Sequence, residues 1–210
     1  MTKTKKYEIE ELHVPSSWKP GEFNPFISAE KLDERCEIQA AFFNEIFATN
    51  EEVVLVPVEI AGAVKYPNNL MKYINNPKRL DIAYVDVMSF KNEKRLKEMT
   101  VNYSPKLPDV IKNKKIIIID CMYDKGTTIL TLLDTFSKSP FFPINISIFT
   151  MINKHPFEQL KNKLSEFPLF YKLAPYFKVP SELWYRGYGL DDERCIDHIQ
   201  AKIPIKNKNS

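Results

Sequence analysis

The sequence predicts an α/β fold in which a mostly parallel central sheet is flanked by helices. Three observations carry that prediction. Apolar runs of strand length alternate with helix-periodic segments through much of the chain, as in successive strand–helix–strand units. The run Ile116 to Ile119 is β-branched and apolar on both faces, which suits a strand covered on both sides. It leads into Asp120-Cys121-Met122-Tyr123-Asp124 and Lys125-Gly126-Thr127-Thr128, after which Ile129, Leu130, Leu132, Leu133 and Phe136 recur at helical spacing.

Taken in order, residues 1–26 are polar and carry Pro15, Pro20 and Pro25, so they read as an extended arm or loop, with Trp18, Phe23 and Phe26 placed to pin it to the body. Ser28 is a helix cap for a helix from about Ala29 to Ala48, with Glu30 in its first turn and Leu32, Ile38, Ala41, Phe42, Ile46 and Phe47 on its apolar side. Val53 to Val58 reads as a buried strand, and Pro57 marks its end because proline has no amide for a ladder. Ile60-Ala61-Gly62-Ala63 then forms a tight loop into a helix over about Asn68 to Ile74. Residues 81–90 are strand-like and end at Ser89; the charged, apolar-poor segment 91–113 reads as a hairpin or a flap. After the central strand–loop–helix unit, Pro143 to Ile152 supplies another apolar strand. His155 to Phe170 looks helical, Leu183 to Gly187 strand-like, and His198 to Ile205 is placed as an edge strand.

Composition narrows the classes. A chain of 210 residues suits a single domain with a full core, and 44% hydrophobic with 27% charged residues is ordinary for a soluble globular protein. A net charge of +3 over 30 basic and 27 acidic residues is too balanced to argue for nucleic acid as a partner. No apolar run reaches membrane-spanning length, and the start MTKTKKYEIEELHV lacks the apolar region of a signal peptide. Three scattered cysteines, Cys36, Cys121 and Cys195, argue against a disulfide framework or a paired-cysteine metal site, so a reducing, cytoplasmic setting is expected.

The chemistry concentrates at residues 120–128. Ligands of open α/β sheets bind beyond the carboxyl ends of strands, and amides at a helix start suit a phosphate. Gly126, the two threonine hydroxyls and Lys125 offer such an anion cradle, flanked by the carboxylates of Asp120 and Asp124. The lysine precedes the glycine, so this is not a Walker loop, nor is it a dinucleotide fingerprint. From these residues alone, a sugar-phosphate cradle and a buried strand with a polar turn both satisfy the pattern.

IIIIDCMYDKGTT, followed some fifty residues later by YKLAPYFKVPSELWYRGYGLDDE, resembles the purine phosphoribosyltransferases of the hypoxanthine–guanine type. The resemblance spans about residues 27–200 and implies a type I phosphoribosyltransferase fold with a small hood and a flap. It implies transfer of the 5-phosphoribosyl group from phosphoribosyl pyrophosphate to guanine or hypoxanthine, with Mg2+ as cofactor and a homodimer or homotetramer as the assembly. Asp124 would then be the general base near purine N7, and Lys125, Gly126, Thr127 and Thr128 would wrap the 5-phosphate. Asp120 would face the ribose and magnesium, and Asp191 a magnesium ion on the pyrophosphate side. Lys172 would donate to the purine 6-oxygen, Trp184 would stack on the base, and Tyr185 and Asp191 would lend backbone groups to its edge. Ala61 and Gly62 would lie in the pyrophosphate loop, Ser89 and Phe90 in the closing flap, and Arg194 beside the pyrophosphate.

Three positions depart from the family pattern. Cys121 stands where a second acid is usual, Lys125 where a threonine is usual, and Ile60-Ala61-Gly62-Ala63 where Leu-Lys-Gly-Gly is common. The loss of an acid at Cys121 and of a lysine at Ala61 supports the alternative expectation, a catalytically weakened or inactive protein of this fold that binds nucleotides in a regulatory role.

Overall fold

The computed structural model describes residues 8–47, 52–59, 65–75, 80–91, 94–138, 140–141, 143–155, 170–174, 176–190 and 197–205. In chain order these form β1 (Glu10–Glu11), β2 (Phe23–Ile27), α1 (Ala29–Ile46), β3 (Val53–Glu59), α2 (Lys65–Met71), β4 (Leu80–Ile82), β5 (Val85–Lys91) and β6 (Lys94–Tyr103). They continue with α3 (Leu107–Ile111), β7 (Lys115–Tyr123), α4 (Thr127–Phe136), β8 (Asn145–Asn153), β9 (Phe170–Leu173), β10 (Phe177–Lys178), β11 (Trp184–Arg186) and β12 (Ile199–Lys202).

The main sheet runs β1-β10-β8-β7-β3-β5-β6, with β4 also on β3 and β9 also on β8. Its strands pair in parallel except for the antiparallel β5–β6 hairpin. The isoleucine run lies at the centre. Ile117, Ile119 and Cys121 pack with Leu32, Cys36, Ala40 and Phe43 of α1, while Ile116 and Ile118 pack with Ile129, Leu132, Leu133 and Phe136 of α4. A strand sandwiched in this way must be apolar on both faces, which is why its sequence does not alternate. Burying each such side chain contributes about 1.5–3 kcal/mol.

Helix α1 begins as its sequence predicts. Ser28 is extended at φ −71° and ψ 162°, and its hydroxyl accepts the Lys31 amide at 3.3 Å. Pro57 does not end β3. The register sets β4 beside Val53–Leu55 and β5 beside Val58–Glu59, so the proline falls in the gap between two neighbouring strands, where a missing amide breaks no ladder on that side.

A second, three-stranded antiparallel sheet has the order β11-β12-β2. It shares a core with α1 through Ile27, Tyr185, Ile199 and Ala201. The arm is pinned here as expected: Trp18 meets Phe26 edge-on at 5.7 Å, and Phe26 lies 5.8 Å from Tyr185. Its last residues, however, are a sheet strand rather than a loop. The closing segment is likewise not an edge, since β12 is the middle strand, paired on both sides. Of the expected flap, 94–103 is the second arm of a hairpin. Residues 107–111 form a short helix with Leu107 and Ile111 fully buried, so that part is anchored in the core. Among the described residues no helix is long and apolar enough to cross a membrane.

Candidate functional site

The carboxyl ends of β7 and β8 lie side by side, with Tyr123 opposite Asn153. The Lys154 amide donates to the Tyr123 carbonyl at 2.8 Å, which extends the pairing one residue beyond the strands. The next residue on each chain closes the gap: His155 Nε2 lies 3.4 Å from Asp124 Oδ1. Asp124 is therefore partly exposed at the sheet edge, between a buried strand and the start of α4.

That helix start has no side-chain cap. Gly126 sits at φ 75° and ψ 4°, a left-handed conformation that costs a side-chain-bearing residue about 1–2 kcal/mol. The first turn of the helix carries no acid. Its first amides have no partner within the helix. Thr127 and Lys125 are exposed and Thr128 is half-buried.

Asp120 and Cys121 point into the protein. Asp120 is 6% exposed, with the Met122 amide donating to Oδ1 at 3.3 Å; burial pushes its carboxyl up to about 7, although hydrogen bonds from the Met122 and Cys121 amides oppose the shift. Cys121 is 4% exposed, and burial holds its thiol well above the usual range. Its Sγ donates to the Tyr188 carbonyl at 3.4 Å. Asp120, the residue expected to face ribose and magnesium, thus has its carboxylate enclosed and engaged by backbone amides. Among the described residues no group of three or more His, Cys, Asp or Glu side chains could hold a metal ion.

The GYG segment is a tight turn. Gly187 and Leu190 exchange backbone hydrogen bonds at 2.8 and 2.9 Å, and Tyr188 and Gly189 between them have φ of 53° and 94°. Two successive positive φ angles define a type I′ turn. A tyrosine in that conformation needs support. Tyr188 receives it from Asn69 Nδ2, which donates to its hydroxyl at 2.9 Å, from Cys36 Sγ at 3.4 Å, and from Cys121 on its carbonyl.

On β11, Trp184 is 60% exposed whereas Tyr185 is buried. The Tyr185 hydroxyl donates to the Pro180 carbonyl at 2.7 Å, and Lys154 Nζ lies 5.7 Å from its ring centre. Strand alternation puts Trp184 and Tyr185 on opposite faces, which leaves the indole free to stack on a ligand.

Lys172 stands apart from this edge. It lies on β9 opposite Ser147, six residues before the carboxyl end of β8 at Asn153, or roughly 20 Å down the strand. The reason is that two short strands share the outer edge of β8, with β9 covering its beginning and β10 its end. Lys154 is the lysine at the site end. Sequence reasoning passed over both Lys154 and His155, although they directly follow an apolar strand parallel to the central one, the position where ligand-binding residues gather.

Ser89 and Phe90 are on β5, which pairs with β3 only at Val85 and Asp86 and runs on past its carboxyl end. The hairpin thus overhangs the edge that carries Asp124. Ala61, Gly62, Asp191 and Arg194 lie outside the described residues.

No protein-family model matches the sequence, and no curated protein matches it. Solved structures do. A hypoxanthine-guanine phosphoribosyltransferase from Bacillus anthracis is 22% identical, with 87% of this chain and 99% of that one covered and a TM-score of 0.61. A hypoxanthine phosphoribosyltransferase from Staphylococcus aureus is 20% identical over 84% of this chain and 89% of that one, with a TM-score of 0.63. The hypoxanthine-guanine phosphoribosyl transferase of L. donovani is 14% identical over 86% and 99%, with a TM-score of 0.64. The chain has the type I phosphoribosyltransferase fold of these proteins.

Proposed function

We propose that the protein transfers the 5-phosphoribosyl group of phosphoribosyl pyrophosphate to a 6-oxopurine, guanine or hypoxanthine, releasing pyrophosphate. The observation that carries this reading is the placing of Asp124 beside an uncapped, left-handed-glycine helix start at the carboxyl edge of the sheet. Neighbours of the same fold act on such purines according to their names.

In this reading the amides of α4, with Thr127, Thr128 and Lys125, hold the 5-phosphate and so fix the sugar relative to the base. Asp124 takes the proton from purine N7 as N9 forms its bond to C1. The C1–O bond to pyrophosphate breaks at the same time and its electron pair leaves with pyrophosphate. The leaving group arrives as its magnesium complex, which lowers the charge it carries away. Trp184 stacks on the base. Lys154 replaces Lys172 as the donor to the 6-oxygen, and it selects against adenine, which presents a donor at that position. The β5–β6 hairpin with Ser89 and Phe90 closes over the ribose and keeps water from competing as nucleophile. Asp191, Arg194, Ala61 and Gly62 are assigned to the pyrophosphate side, and a dimer or tetramer is the proposed assembly.

Purine-dependent release of pyrophosphate in the presence of magnesium tests the reading. Release with guanine or hypoxanthine supports it, and none with either base, or with xanthine, rejects it. One observation favours a second reading. The position at which a carboxylate is usual is a buried thiol engaged with a backbone carbonyl. A regulatory nucleotide binder would show calorimetric binding without turnover.

A further inference from the structure

His155 is an imidazole in direct reach of the carboxylate that carries the proton-transfer role, and its position is set by backbone geometry rather than by chance contact of two long side chains. Tyr123 and Asn153 pair at the ends of β7 and β8, and the Lys154 amide is bonded to the Tyr123 carbonyl at 2.8 Å. His155 and Asp124 are the next residue on each side, with Nε2 and Oδ1 3.4 Å apart. Both side chains are accessible, at 30% and 41%, so the contact is not a product of core packing. An ionised carboxylate only accepts, so Nε2 carries the proton whether the ring is neutral or cationic.

We propose that His155 is a positioning residue for Asp124, its Nε2–H donating to Oδ1 so that Oδ2 is turned toward the purine. The terminal torsion of an aspartate is broad and a half-exposed carboxylate samples much of it. A donor fixed on one oxygen narrows that range and presents the other oxygen for the proton. The N7 proton then passes to Oδ2, and the imidazole keeps its own proton throughout. This rests on Asp124 acting as the base of the proposed transfer.

A double-mutant cycle tests it. Steady-state kinetics are measured for the wild type, His155→Leu, Asp124→Asn and the double variant, with His155→Gln as the variant that keeps a donor. Misplacing the base should lower kcat of His155→Leu about tenfold or more, with KM for both substrates unchanged, and His155→Gln should recover part of the loss. In the Asp124→Asn background the His155→Leu change should cost nothing further. Equal losses in both backgrounds, or a raised KM with unchanged kcat, would overturn the positioning role while leaving the transferase reading intact. A wild-type protein without turnover would overturn the transferase reading, and this inference with it, before any variant is compared. Thermal unfolding of each variant identifies a folding defect in His155→Leu, in which case the comparison of His155→Gln with wild type, alone and in the Asp124→Asn background, decides.

Discussion

The thiol of Cys121 donates to the backbone carbonyl of Tyr188 across 3.4 Å, joining the strand that leads to the start of α4 to the turn that follows Trp184. Cys121 lies near the carboxyl end of the buried central strand β7, and Tyr188 occupies a left-handed conformation that few tyrosines adopt. The thiol is therefore a packing and hydrogen-bonding group between the two halves of the site.

Replacing Cys121 with Asp should consequently not create a working acid at this position. It should place an unpaired carboxylate against a carbonyl oxygen in a closed core, at a cost of several kcal/mol. Chemical unfolding should show a large loss for Cys121→Asp and a much smaller one for Cys121→Ser, which keeps a donor. A stable Cys121→Asp variant with raised turnover would contradict this assignment.

Asp120 predicts a pH dependence of stability. Its carboxyl is raised from an ordinary 3.8 to about 7 in the fold by burial. The folded state therefore holds the proton more tightly than the unfolded chain does. That stabilisation is fully present below pH 3.8 and is lost as pH rises through about 7. At about 1.4 kcal/mol per unit, a few kcal/mol are at stake. Without substrate or magnesium, Asp120→Asn should gain stability relative to wild type between pH 5 and 8. Parallel stability curves for the two proteins would refute it.

Gly126→Ala addresses the cradle. The left-handed backbone should cost about 1–2 kcal/mol in denaturant unfolding. Any relaxation that relieves the strain should also move the α4 amides and raise KM for phosphoribosyl pyrophosphate more than KM for the purine. An equal effect on both would place the phosphate elsewhere.

The two lysines separate cleanly. Lys154→Met should raise KM for hypoxanthine about tenfold or more, the loss expected for a hydrogen bond from a charged donor. Lys172→Met should leave KM for hypoxanthine unchanged. The reverse result would restore Lys172 to the site.

Much of this architecture could be read from residues. The isoleucine run, the Ser28 cap and the helical spacing after Gly126 each depend on local patterns, and each forms where those patterns place it. The place of Lys172 in the sheet depends on which half of β8 the returning strand covers, a register decided by tertiary packing and not by local pattern. Pro57 misled for the same reason, since the gap between β4 and β5 exists only in the assembled sheet. The burial of Asp120 and Cys121 was hidden too: β7 continues four residues beyond the last isoleucine, which carries both polar side chains into the core.

The most direct measurement is product analysis after mixing the protein with phosphoribosyl pyrophosphate, magnesium and hypoxanthine, guanine or adenine in turn. Formation of the 5′-mononucleotide of hypoxanthine or guanine, little or none with adenine, and a drop of about 10²-fold or more in Asp124→Asn is the predicted result. Binding of phosphoribosyl pyrophosphate with no nucleotide formed from any purine would contradict the account.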